Sequence, residues 1–128
     1  MTDNERGAER VALVTGGAVR LGRTLALGLA EAGHHLVVAY HASEGPAREV
    51  AQEIEALGRR CVTVRADLAE PRGADVVVDA ARDTFGRLDV LVNSAAGFDE
   101  TPLLEVDADA WDRVMDLNVR AAHLTVRA

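Results

Sequence analysis

The chain has 128 residues, 48% hydrophobic and 27% charged, the make-up of one globular domain rather than a disordered or fibrous segment. Its 14 basic residues are all arginine against 21 acidic ones, a net charge of −7, which excludes a basic nucleic-acid-binding stripe and every mechanism that needs a lysine. With no apolar run near the roughly 18 residues of a membrane helix, no apolar signal core in Met1 to Glu9 and a single Cys61, a cytoplasmic protein that engages neither membrane nor nucleic acid is expected.

Residues 1–9 read as a flexible tail. Val11–Thr15, apolar up to Gly16-Gly17, predicts a strand buried on both faces. Leu21, Leu25 and Leu29 repeat at helical spacing through Ala32, and Gly33 stands where a glycine ends a helix. Leu36–Tyr40 predicts a second strand and 41–45 a loop. Pro46 marks a helix start, with Val50, Ile54 and Leu57 on its apolar face and Gly58 at its end. Cys61–Arg65 predicts a third strand. Asp67 and Pro71 open a third helix, with Val77, Ala80, Ala81 and Phe85 inward and Gly86 closing it. Val90–Asn93 predicts a fourth strand, 94–106 a loop, and Asp107 the cap of a last helix carrying Trp111, Val114, Met115, Leu117 and Ala121.

Strands apolar on both faces, alternating with helices, predict an α/β fold: a Rossmann-type doubly wound parallel sheet over residues 10–128. The last helix runs to Ala128 without a stop signal. The fourth strand would lie at a sheet edge for which it is too apolar. Both features lead us to expect a partial domain, apparent as a truncation inside the fourth helix.

Thr15-Gly16-Gly17-Ala18-Val19-Arg20-Leu21-Gly22 carries the strongest chemistry. A glycine-rich turn from a buried strand into a helix presents backbone N–H groups and a helix N-terminus to a phosphate. Gly16 permits the tight turn and Gly22 the close packing of helix on strand. A plain βα turn that happens to contain glycines is the alternative; its place in the first βα unit of a doubly wound chain favours the dinucleotide reading.

This loop resembles the Thr-Gly-x-x-x-Gly-x-Gly signature of the short-chain dehydrogenase/reductase family. Arg20 replaces the middle glycine, as in the pteridine-reductase-like branch. Three further segments agree. Ala66-Asp67-Leu68 is similar to the family's Asp after the third strand, which contacts the adenine. Asn93-Ser94-Ala95 is similar to its Asn-Asn-Ala-Gly, with Ala96 for the glycine. Asn118, in Asp-Leu-Asn-Val, is similar to the helix Asn of its catalytic tetrad, which holds a water in a proton relay. The resemblance therefore implies cofactor contacts from Thr15, Gly16, Arg20, Leu21, Gly22, Asp67, Leu68, Asn93, Ser94 and Ala95. Taken singly, Asp67 could be a solvated turn carboxylate, Asn118 an ordinary mid-helix polar residue, and Asn93 a partner for neighbouring backbone groups.

The end of the second strand bears on the choice of cofactor. A carboxylate there binds the ribose 2′-OH and repels a 2′-phosphate. Tyr40-His41-Ala42-Ser43 has none. Arg20 supplies a guanidinium suited to phosphate. Branch members carry His-Arg-Ser; this chain keeps His41 and Ser43 but has Ala42 for the Arg, and Glu44 follows. NADP(H) is expected rather than NAD(H).

The family's hydride transfer uses a Tyr as general acid, a Lys that lowers its pKa, and a Ser. A phenol with a pKa of about 10 needs an adjacent cation near neutral pH. Here the only Tyr is Tyr40, in the second strand, and Tyr-x-x-x-Lys is absent; of the tetrad only Asn118 is present. The chain reads as the N-terminal, cofactor-binding half of an NADP(H)-dependent oxidoreductase acting on a carbonyl or similar small-molecule substrate, inactive alone. A non-catalytic nucleotide-binding module or vestigial fragment is the alternative. Phe98 resembles the branch's aromatic that stacks on a flat heterocycle, although Ala96 stands where pterin enzymes often have Ser. A lid or core role for Phe98 is the other reading, so an unspecified carbonyl ranks ahead of pterin or dihydrofolate. No zinc, haem or iron–sulfur spacing occurs, and Cys61 reads as a core thiol. The resemblance implies a homo-oligomer for the intact parent, and marginal stability or poor solubility is expected of this chain by itself.

Overall fold

The computed structural model describes residues 9–98 and 100–128; the tail expected over 1–9 lies, apart from Glu9, outside them. Four parallel strands, β1 (Val11–Thr15), β2 (His35–Tyr40), β3 (Cys61–Arg65) and β4 (Val90–Asn93), stand in the order β3-β2-β1-β4. Helices α1 (Arg20–Glu31), α2 (Glu44–Ala56) and α3 (Gly73–Phe85) make the crossovers. A 3-10 turn, Leu103–Glu105, precedes α4 (Ala108–Met115), which continues through a π turn, Asp116–Arg120, into α5 (Ala121–Arg127). Strand order reverses between β1 and β4, which puts a crevice at the carboxyl ends of the strands there.

The period-two alternation of β1 divides the core. Val11 and Leu13 pack with Val37, Ala39, Val77, Ala81 and Ala121 on the face covered by α3 and α5. Ala12 and Val14 pack with Leu36, Val38, Ala26, Ala30, Val50 and Ile54 under α1 and α2. Leu13, Leu36 and Ile54 are fully buried, each stabilising the fold by about 1.5–3 kcal/mol relative to exposure.

Four local expectations are corrected. The face α1 buries is not its leucine stripe but Gly22, Ala26 and Ala30, with Leu21 67% exposed; the small residues let the helix lie close on the sheet. Helix α2 starts at Glu44, so Pro46 sits inside the first turn, where its missing N–H has no intrahelical partner to lose. Leu57 is exposed beyond the end of α2 rather than on its apolar face. Helix α3 starts at Gly73, not at Asp67 or Pro71. The Asp67 carboxylate accepts from the Ala69 N–H (3.0 Å), and the Glu70 and Gly73 N–H groups close onto the Asp67 and Glu70 carbonyls, so these residues wind into turns instead.

At the amino ends of the strands, buried His35 accepts the Arg60 N–H at Nδ1 (2.9 Å), which leaves Nε2–H to donate to the Glu9 carboxylate (2.6 Å). That contact holds the Glu9 carboxyl below its ordinary range. Cys61 is half-buried, and desolvation pushes its thiol up to about 12. Among the described residues, no helix is long and apolar enough to cross a membrane.

Candidate functional site

A cavity of about 630 Å³ opens at the carboxyl ends of the strands. The β1–α1 loop forms its floor. Gly16 turns the chain at φ 60°, with Ala95 so close that a Cβ would meet its Cα at 2.9 Å. A Cβ on Gly22 would fall onto the Gly16 carbonyl oxygen. The loop is closed to side chains at both glycines. Arg20 keeps the left-handed conformation of the glycine it stands for (φ 52°). Val19, at the N-cap of α1, offers no side-chain acceptor, and the first turn has no acidic residue. The first N–H groups of the helix, with the positive end of its dipole, therefore remain available beside the cavity.

The walls come from the other strand ends: 39–43 at the end of β2, 66–68 after β3 and 94–96 after β4, with Leu117 of the π turn. Of the residues singled out in the sequence, Gly16, Arg20, Leu21, Gly22, His41, Ser43, Asp67, Leu68, Ser94 and Ala95 line this cavity together. His41 Nε2 and Asp67 Oδ2 face each other at 4.0 Å. Ser43 makes no capping hydrogen bond for α2, and Glu44 is occupied by Arg48 at 2.8 Å, one turn along.

Four of those residues stand outside the lining. Thr15 is 1% exposed. Its Oγ1 accepts from the Ser94 and Ala95 N–H groups (both 3.1 Å) and donates to the Val92 carbonyl (3.4 Å), tying the β4 loop to β1. Asn93 pairs in register with Thr15 and exposes its side chain. Phe98, 76% exposed, borders a second hollow of about 200 Å³ with Trp111 and Met115.

Asn118 lies in the π turn, where the Ala121 N–H reaches back five residues to the Asp116 carbonyl. Its Nδ2 donates to the Gly97 (2.6 Å) and Val114 (2.8 Å) carbonyls, and its Oδ1 accepts the Gly97 N–H (3.3 Å). Both amide donors are spent holding the loop after β4 against the helix. Sequence reading missed Leu117 as a wall residue; a leucine at helical spacing reads as ordinary core, and the π turn that re-aims it has no sequence mark.

A model of the short chain dehydrogenase family matches residues 10–128. L-rhamnose 1-dehydrogenase (NAD(P)(+)) of Sphingomonas sp. is 36% identical over 93% of this chain and 47% of its own length. A 3-oxoacyl-[acyl-carrier-protein] reductase of Synechocystis sp. is 38% identical over 93% and 48%. Among solved structures, a blue fluorescent protein from a metagenomic library, in complex with NADPH, superposes with a TM-score of 0.89 at 38% identity, covering 93% of this chain and 49% of that one. A short chain dehydrogenase from Burkholderia cenocepacia, in complex with NADP, gives 0.89 at 38% identity over 93% and 48%. The chain thus spans about half the length of the relatives it matches. On the sheet order, the glycine loop and these matches, the chain belongs to the short-chain dehydrogenase/reductase family.

Proposed function

We propose that this chain is the NADP(H)-binding portion of an oxidoreductase that moves hydride to or from a carbonyl or similar small molecule. The observation that carries the reading is the floor of the 630 Å³ cavity: a glycine loop that any Cβ would fill, an uncapped helix N-terminus and one arginine at the rim. That set suits a pyrophosphate bridge, with free amide donors and a dipole of the right sign. Gly16, Leu21 and Gly22 would hold the bridge. His41, Ser43 and Arg20 would face the adenosine ribose, the half that lies at the end of the second strand in such folds. Because no acid ends β2 and Glu44 is already paired with Arg48, Arg20 is free to meet a 2′-phosphate, with Asp67 across from His41 the carboxylate in the same cavity.

Asp67 and Leu68 would border the adenine, while Thr15 and Asn93 support the wall from behind. Bound, the nicotinamide supplies the hydride donor or acceptor. Asn118 would hold the Gly97 loop, since both hydrogens of its amide are already donated. The sequence has no Tyr-x-x-x-Lys, so these 128 residues are proposed to bind cofactor without turning it over, within a cytoplasmic, homo-oligomeric parent enzyme. A reading as a nucleotide-binding module without catalysis draws on the same spent amide and missing lysine. A pterin or dihydrofolate ranks second to an unspecified carbonyl substrate, since exposed Phe98 offers a flat stacking face.

Fluorescence titration with NADPH and NADH tests the cofactor. Wild type should prefer NADPH, and Arg20→Glu should shrink that preference about tenfold or more, in line with a charge-assisted hydrogen bond. An unchanged ratio sinks the NADP(H) assignment. Steady NADPH oxidation by the pure chain with any carbonyl substrate sinks the claim that it is inactive alone.

A further inference from the structure

The turns at 67–72 between β3 and α3 carry one lip of the cavity, Asp67 and Leu68. They are wound tightly: a Cβ on Gly73 would overlap the Asp67 carbonyl oxygen. Their own hydrogen bonds are short-range, Ala69 N–H to the Asp67 carboxylate, Glu70 N–H to the Asp67 carbonyl and Gly73 N–H to the Glu70 carbonyl. Such bonds set the shape of the turns; their position on the body of the domain depends on Leu68, buried in the core under α3, on the His41–Asp67 approach at 4.0 Å, and on any hydrogen bond from elsewhere in the chain. Among the described residues, one hydrogen bond reaches them from elsewhere in the chain: Arg120 Nη2 donates to the Ala69 carbonyl across 51 positions of sequence.

Arg120 is well placed for this. It ends the π turn whose Leu117 lines the same cavity and whose Asn118 grips Gly97. Asp116 Oδ2, 3.3 Å from the same nitrogen, orients the guanidinium from the helix side. The Nε is buried without a partner, while the side chain as a whole is 40% exposed, so the hydrogen bond to Ala69 sits at the edge of the domain. A helix without the extra residue of the π turn would rotate every following side chain by about 100° relative to the preceding ones.

We propose that Arg120 is a positioning residue for the cofactor cavity, fixing the Asp67–Leu68 lip against the helix that carries Leu117 and Asn118. The π turn thereby staples two of the three strand-end segments that wall the cavity, the β4 loop through Asn118 and the β3 loop through Arg120. The link to cofactor rests on the function proposed above; the link between Arg120 and the lip does not.

Two measurements on the full chain separate these. In amide hydrogen exchange without cofactor, Arg120→Met, which keeps most of the side-chain bulk, should speed exchange at 66–73 about tenfold and leave 94–98 near wild type. Asn118→Ala should do the reverse. Arg120→Lys, which keeps a cationic donor, should hold 66–73 within about threefold of wild type. In titrations well below the melting temperature, Arg120→Met should weaken NADPH and adenosine 2′,5′-bisphosphate by the same factor, about five- to tenfold. Ile54→Val, a core truncation on the opposite sheet face, should lower the melt and change neither readout. Unchanged exchange at 66–73 in Arg120→Met, equal acceleration in Arg120→Lys, or the same losses in Ile54→Val overturns the proposal. A wild type that binds no NADPH sinks the proposed function, and the exchange arm then decides alone whether Arg120 holds the lip.

Discussion

Arg20 and Gly22 sit two residues apart in one loop and respond to substitution with opposite sign. Arg20 occupies φ 52°, where its Cβ crowds the backbone; an L residue there costs roughly 1–2 kcal/mol relative to the right-handed region. Glycine has no such penalty but loses more freedom on folding. Arg20→Gly should therefore raise stability by about 1 kcal/mol or less, while weakening NADPH relative to NADH. Gly22 has an ordinary φ, but its Cβ position is filled by the Gly16 carbonyl. Gly22→Ala must push the loop open, at a cost of about 2–3 kcal/mol, and should abolish cofactor binding. Thermal melts of the two variants check the pair, and a loss of stability in Arg20→Gly would count against strain at that residue. The glycine pattern was legible in the sequence because the steric demand falls on the residue itself. That Arg20 keeps a glycine's conformation was not, because an arginine carries no mark of a positive φ.

Elements are legible in the sequence where apolar residues mark what is buried and a glycine marks the end, as for β1 up to Gly16, or for α3 with Gly86 at φ 73° as its stop. They were misread where side chains compete for backbone groups. Asp67 delays α3 by spending its carboxylate on Ala69, and the π turn leaves the Val114 carbonyl for Asn118. Neither event alters hydrophobic periodicity, so the cavity wall at Leu117 and the reach of Arg120 stayed hidden.

The junction of β1 and β4 depends on such a competition too. Asp89, just before β4, accepts the Val11 N–H at Oδ2 (2.8 Å), returns its own N–H to the Val11 carbonyl (2.9 Å), and takes two hydrogen bonds from Arg87. Arg87 first, then the Val11 N–H, holds the Asp89 carboxyl below its ordinary range. A carboxyl lowered on folding contributes stability above its unfolded pKa, near 3.9, and loses it as pH falls through the folded value. Asp89→Asn should cost about 1–2 kcal/mol at pH 7. In urea melts that gap should narrow from about pH 4 downward; a gap constant from pH 7 to 3 would mean that the carboxylate charge contributes nothing.

Across the whole molecule, α1 and α2 cover one face of the sheet, and α3 with α5 covers the other only in part. Both outer strands, β3 and β4, are half-buried rather than sealed. The helical rod from α4 to α5 buries Ala121 and Thr125 against the sheet side and turns Trp111, Met115, Val119 and Val126 outward, at 60%, 39%, 55% and 71% exposure. Four large apolar side chains exposed along one rod favour association. A four-residue edge strand is a poor template for pairing by comparison, because short edges offer few backbone groups. The chain should therefore self-associate through the rod. Sedimentation velocity should show the weight-average mass rising with concentration, and emission from Trp111, the single tryptophan, should move to the blue in step as its indole leaves water. Trp111→Glu with Val119→Glu should hold the chain monomeric, whereas a charge on the β4 edge at Asn93→Lys should leave association intact. The reverse ranking would move the adhesive surface from the helix to the sheet edge.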